Sequence, residues 1–141
     1  MPLTNIEDIL RREPNDAIIA LSEAISHKCS YGDKLEALSD AEKVFYYNQI
    51  FEMEVNNGGF DQYFFNTNDE YTSETIRSLR LIGAENTASI LQEAATIDRS
   101  KELLDVNGFS DLEERFYRYE DDLNSLNLKF VEANKAEFSI S

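Results

Sequence analysis

Tryptophan is absent from the 141 residues, cysteine and histidine occur once each, and lysine and arginine together number only thirteen. Each scarcity removes a class of chemistry. A lone Cys29 cannot build an internal disulfide framework or a multi-cysteine zinc site. A lone His27 would have to act as base for Cys29 or a serine, and residues two apart on a helix do not face each other. His27 therefore reads as a polar residue near a helix end, and Cys29 as a core or inert thiol. There is no nucleophile elbow and no glycine-rich phosphate loop. A helical carboxylate metal site needs two Glu-x-x-His pairs, which one histidine cannot supply. Asp105 to Asp111 looks like half of a calcium loop but lacks the glycine at its sixth position and the glutamate at its twelfth. The expectation is a protein with no catalytic residues, no metal and no cofactor.

Long hydrophobic runs are missing too. Nothing approaches the roughly 20 apolar residues that span a bilayer. The opening Met1-Pro2-Leu3-Thr4-Asn5 has neither the basic nor the apolar region of a signal peptide, so a cytoplasmic location is expected. Repeats, low-complexity tracts and Pro/Gly/Ser-rich linkers are also absent, and the length suits one domain over residues 1–141.

What the chain does have is apolar and acidic material. Hydrophobic residues make up 42 % of it, with nine Phe and seven Tyr. That is enough to offset the chain entropy lost on folding and points to an aromatic-rich core. Twenty-eight Asp and Glu outnumber the basic residues to give a formal net charge of −15. Such a field repels phosphate backbones and anionic membranes, which disfavours direct nucleic-acid or membrane binding, and attracts basic partners. Simple solubility is the competing explanation for the acidity.

Helical spacing recurs along the chain, whereas sustained apolar–polar alternation does not, so the fold expected is an all-α bundle of about six to seven helices. Ile6, Ile9 and Leu10 mark a short opening helix. Pro14 suits the first turn of a second, with Ile18, Leu21, Ser22 and Ile25 on one face. Tyr31-Gly32-Asp33 reads as a turn. Ser39 and Glu42 have capping-box spacing and should start a third helix, buried on several faces through Phe45, Tyr46, Tyr47, Ile50, Phe51, Met53 and Val55. Asn57-Gly58-Gly59 stops it, and Asp61 to Phe65 form a short aromatic helix or turn. Thr72 or Ser73 should cap a helix carrying Ile76, Leu79 and Ile82 and ended by Gly83. Ala84, Ala88, Leu91 and Ala95 form a small-residue stripe suited to close packing. Ile97 to Ser110 reads as a loop. Ser110 and Glu113 repeat the capping-box spacing, and Leu112, Phe116, Tyr119, Leu123, Leu126 and Phe130 trace one long helical stripe.

The carboxylates are grouped. No basic residue lies between Lys43 and Arg77, while Glu52, Glu54, Asp61, Asp69, Glu70 and Glu74 all do. Asp111, Glu113, Glu114, Glu120, Asp121 and Asp122 form a second group, diluted by Arg115 and Arg118. Grouped like charges repel, and salt-bridged faces would interleave their signs. Solvated faces are one reading. The other follows from DNA geometry: duplex phosphates recur along each strand at about two to three helical residues' worth of rise. A helical scaffold can hold carboxylates at such separations, where the Lys and Arg of a DNA-binding protein would meet them.

The run Asn57-Gly58-Gly59-Phe60-Asp61-Gln62-Tyr63-Phe64-Phe65-Asn66 resembles the signature of a bacterial domain family of unknown function that includes acidic DNA-mimic proteins. Glu74-Thr75-Ile76, Leu81-Ile82-Gly83-Ala84, Leu112 to Tyr117 and Asp121-Asp122-Leu123 are similar to it as well. The resemblance spans roughly residues 40 to 138. It implies an all-α fold and dimerisation. For the mimic branch it implies binding to a helix-turn-helix transcription factor at the surface that otherwise holds DNA. Asn57, Gly58, Gly59, Phe60, Gln62, Tyr63 and Asn66 read as architectural, so the twelve grouped carboxylates are the partner-binding candidates. Two other readings stay open: an interaction or immunity-type inhibitor module that binds through an apolar patch, and an enzyme built on a polar cluster of Asn48, Glu52, Gln62 and Asn66.

Overall fold

The computed structural model describes residues 5–97 and 106–140. Among them are seven α-helices and no strands: α1 Ile6–Leu10, α2 Pro14–Lys28, α3 Asp40–Thr67, α4 Thr72–Leu81, α5 Glu85–Ala95, α6 Val106–Tyr117 and α7 Leu123–Ala133. The fold is all-α, as the periodicity predicts. No helix among the described residues is long and apolar enough to cross a membrane. By packing, the chain divides into two compact units, residues 1–46 with 123–141, and residues 47–122.

In the first unit, α2 packs on α1 and on α7. Pro14 occupies the first turn of α2, where its missing N–H costs nothing. Ile18, Leu21 and Ile25 are buried along one face, Cys29 is a buried core thiol, and His27 is exposed in the last turn. Glu42 organises this unit. Its carboxylate accepts the Ser39 backbone N–H at 2.8 Å, while the Glu42 N–H donates to Ser39 Oγ at 3.1 Å, completing the expected capping box. The same carboxylate, fully buried, receives Lys28 Nζ at 2.8 Å and the Ser139 N–H at 2.8 Å. One acidic side chain thus ties the end of α2, the start of α3 and the C-terminal tail.

In the second unit, α4 packs on α5 and α5 on α6. Gly83, at φ 88°, ends α4, with the Ala84 N–H donating to Leu79 O at 2.8 Å across the turn. Ala84, Ala88 and Leu91 of the predicted stripe are buried. The core is aromatic: Phe51 meets Tyr63 and Phe116 edge-on at 5.1 and 5.5 Å, and Phe109 lies 5.9 Å from Phe60. Edge-on geometry sets the positive ring rim against a negative ring face.

Four local expectations are corrected. The residue capping α4 is Tyr71, with no side-chain cap bond, and Thr72 is already helical. The stretch from Val106 to Ser110 belongs to α6 rather than to a loop, because burial of Phe109 outweighs the poor helix propensity of Gly108. Ser110 and Glu113 therefore lie inside a helix and form no capping box. The stripe from Leu112 to Phe130 is two helices, since Tyr119 takes a left-handed φ of 48° between α6 and α7. Residues 98–104 of the expected loop, and Asp105 of the calcium-like segment, lie outside the described residues.

Replacing Glu42 with alanine is expected to cost about 3 kcal/mol, the low end for a broken buried pair because Lys28 keeps some access to water. Ser39→Ala removes only a cap and should cost about 1 kcal/mol. Urea midpoints of the two variants measure the difference; equal losses would refute the hub role of Glu42.

Candidate partner-binding surface

The signature run breaks α3 at two glycines. Gly58 has φ −156° and ψ 16°, and Gly59 has φ 76° and ψ −173°, a region open essentially to glycine alone. The break frees the backbone N–H groups that start the second segment of α3. One of them, from Phe60, donates to Glu113 Oε2 of α6 at 2.9 Å. A Cβ on Gly59 would collide with that same carboxylate. Glu113 therefore caps a helical segment 53 residues away, and Gly59 lets it in. On the other side of the break, Glu54 Oε1 accepts from Gln62 Nε2 at 2.9 Å and Asn66 Nδ2 at 3.2 Å. Glu54 is only 8 % exposed, so it belongs to the interior. Phe60 and Tyr63 are fully buried, and Tyr63 Oη donates to Thr75 Oγ1 at 2.9 Å. Burial pushes the Tyr63 hydroxyl up to about 12. Among the signature residues, Gly58, Gly59, Phe60, Gln62, Tyr63 and Asn66 thus hold the break, while Asn57 is exposed beside it.

Three further bonds fasten the end of α6 along α3. Tyr117 Oη donates to Val55 O at 2.8 Å, Tyr119 Oη donates to Glu52 Oε2 at 2.8 Å, and Asn56 Nδ2 donates to Tyr119 Oη at 2.8 Å. Together with Glu113, they fix the stretch Glu113 to Tyr119 against the stretch Glu52 to Phe60. Burial raises the Glu52 carboxyl above its ordinary range, and the Tyr119 hydrogen bond partly offsets that. Burial also lifts the Tyr119 hydroxyl, to about 12. Asn48, Glu52, Gln62 and Asn66 do not converge: Asn48 Nδ2 donates to Ser78 O, Glu52 meets Tyr119, and the other two meet Glu54.

The twelve partner-binding candidates therefore separate by role. Glu54 and Glu113 hold the break. Asp121 Oδ2 accepts from Thr87 N at 2.7 Å and Thr87 Oγ1 at 2.9 Å, capping α5, whose own preceding residue is the uncapping Ala84. Glu52 is half-buried under Tyr119. Glu74 is exposed and ion-paired with Arg77 at 3.0 Å. Asp61, Asp69, Glu70, Asp111, Glu114, Glu120 and Asp122 remain exposed to solvent. Two further arginines are held by carboxylates as well: Arg80 lies 3.5 Å from Glu85, and Arg115 makes a two-pronged contact with Glu93 of α5 at 3.0 and 3.2 Å. Sequence reasoning missed Glu85 and Glu93 as arginine partners, and missed Phe65, which is 84 % exposed between Phe64 in the core and Asn66.

Charge is unevenly shared. Residues 47–122 carry seventeen Asp and Glu against six Lys and Arg, a net −11, whereas the remaining segments carry eleven against seven, a net −4. Among the described residues no group of three or more His, Cys, Asp or Glu is placed to hold a metal ion.

Fold and surface together define an all-α protein with a glycine-broken central helix and a carboxylate-dense second unit. A family model described as DMP19-like protein matches residues 36–134, and the chain belongs to that family. No curated protein and no solved structure gives a significant match.

Gly59→Ala should lose about 3 kcal/mol or more, combining backbone strain with displacement of Glu113. Gly58→Ala would press on the Gln62 side chain, down to its Cβ at 2.8 Å, but strains no left-handed φ and should lose less. Denaturant midpoints check this order. A second expectation concerns pH. The folded state raises the Glu52 pKa, so this group's contribution to stability is fully present in acid and is lost as pH rises through the carboxyl range. Glu52→Gln should therefore gain on the parent chain as pH goes from about 4 to about 7. A pH-independent difference in unfolding midpoint would contradict the raised pKa.

Proposed function

We propose that this chain is an acidic DNA mimic that occupies the DNA-binding surface of a helix-turn-helix-type transcription factor and keeps it off DNA. The observation that carries the reading is the concentration of charge in residues 47–122, where Arg77, Arg80 and Arg115 are engaged by neighbouring carboxylates. The exposed acids Asp61, Glu70, Asp111, Glu114 and Glu120 then face solvent as a negative field on a rigid helical scaffold. A basic DNA-binding surface meets such a field with charge-assisted hydrogen bonds and no reaction chemistry. Membership in the DMP19-like family and the resemblance to mimic proteins point the same way. The setting is cytoplasmic, and the mimic works as a homodimer.

A second reading, an inhibitor module that binds through apolar contacts, is favoured by one feature. A cavity of about 410 Å³ along α4 is lined by Ser73, Ile76, Arg77, Arg80 and Leu81, with Leu81 52 % exposed.

Capture from native lysate, with rising salt and duplex DNA as competitor, separates the two. A mimic retains a DNA-binding protein that leaves steeply with salt and is displaced by DNA. Retention that ignores both salt and DNA supports the module instead. Changing Asp61, Glu70 and Glu114 together to neutral amides should weaken capture roughly tenfold, as expected for three exposed ion pairs, with unchanged helicity. Undiminished binding by that triple variant would remove these carboxylates from the interface.

A further inference from the structure

Phe65 stands out on the acidic unit. It is the most exposed of the large apolar side chains described, at 84 %, although Phe60, Tyr63 and Phe64 around it are buried. It lies one helical turn after the exposed Asp61, on the same side of the second segment of α3. The chain then turns back through Asn68 and Asp69, both at left-handed φ of 55° and 61°, and presents Glu70 just beyond. An aromatic face is thus flanked by carboxylates in sequence and helical position, within a unit of net charge −11.

The outer face of a DNA duplex offers phosphates but no aromatic ring, so pure mimicry gives Phe65 no task. Charge complementarity names the occupant. A cation that leaves water for this site gains from the negative ring face and from the carboxylates beside it at once. Of the two cationic side chains, arginine suits the combination better. Its guanidinium is planar, weakly hydrated, stacks on rings, and donates in the plane to carboxylates. We propose that Phe65 is the anchor for an arginine on the basic partner protein, with Asp61 and Glu70 receiving the guanidinium edge. This rests on the mimic reading and adds to it. The carboxylates supply a salt-dependent attraction that resembles DNA, and Phe65 supplies a salt-insensitive preference for arginine that DNA's phosphates lack.

The test uses two synthetic basic peptides, identical except that one carries arginine wherever the other carries lysine. Their dissociation constants are measured on the full chain by fluorescence anisotropy at low and high salt. The parent chain should favour the arginine peptide, with about two- to fivefold of that preference due to the ring. Phe65→Leu, which keeps an apolar side chain but removes the ring, should lose that increment while leaving the salt dependence intact. Asp61→Asn with Glu70→Gln should flatten the salt dependence of both peptides. An arginine preference unchanged in Phe65→Leu overturns the anchor and leaves the mimic reading standing. Binding of both peptides to the parent chain without steep salt dependence overturns the mimic reading and the anchor with it. Circular dichroism confirms that each variant is folded.

Discussion

The second unit depends on a carboxylate placed at the break in its long helix. At Gly58-Gly59 the central helix is interrupted, and the N–H groups of the next segment lose the carbonyls that a continuous helix would offer. Glu113 from α6 takes the Phe60 N–H, and Gly59 provides both the backbone conformation and the room for that approach. The interruption also redirects the chain, so that Phe60, Tyr63 and Phe64 enter one aromatic core with Phe51, Phe109 and Phe116. Glu54, tied to Gln62 and Asn66, holds the other side. The two interactions explain why an acidic protein retains carboxylates where burial is costly: each is matched by neutral donors.

The same division of labour runs through the molecule. Glu42, Glu113 and Asp121 act as long-range or local caps, Glu54 ties the Gln62 and Asn66 side chains, and Glu74, Glu85 and Glu93 hold arginines. What is left facing solvent is a smaller set of exposed acids on packed helices. Net charge alone overstates that set. Its distribution corrects the picture, since most of the excess lies in residues 47–122. A negative field fixed on packed helices loses little freedom when a partner docks, which favours binding over the same charge on a flexible tail.

Legibility followed the range of each interaction. The capping box at Ser39 and Glu42, Pro14 at a helix start and the glycine stops at Gly59 and Gly83 depend on neighbours within a few residues, and each appears as expected. Ser110 and Glu113 have the same spacing as Ser39 and Glu42 yet form no box, because Phe109 is drawn into the core and carries the helix start upstream. Periodicity linked Leu112 to Phe130 as one stripe, of which Leu112, Phe116 and Leu123 are buried, and could not register the left-handed Tyr119 between them. Tyr119 keeps that conformation with its hydroxyl bonded to Glu52 and Asn56, 67 and 63 residues away. In the candidate surface, the grouping of carboxylates was legible and their separation into capping and solvent-exposed groups was not.

Composition and local spacing by themselves determined the all-α class, most helix starts and stops, the aromatic core and the sign of the field around the molecule. These rest on hydrophobic periodicity, backbone conformational preference and counted charge, all properties of short stretches or of the whole chain. Only tertiary structure decided that Glu113 and Asp121 cap distant helices, that Glu54 is interior, that Arg115 is held by Glu93, and that Phe65 faces water while Phe64 does not. Those outcomes depend on which groups folding brings within hydrogen-bond reach of one another, and residues far apart in sequence carry no local mark of that meeting.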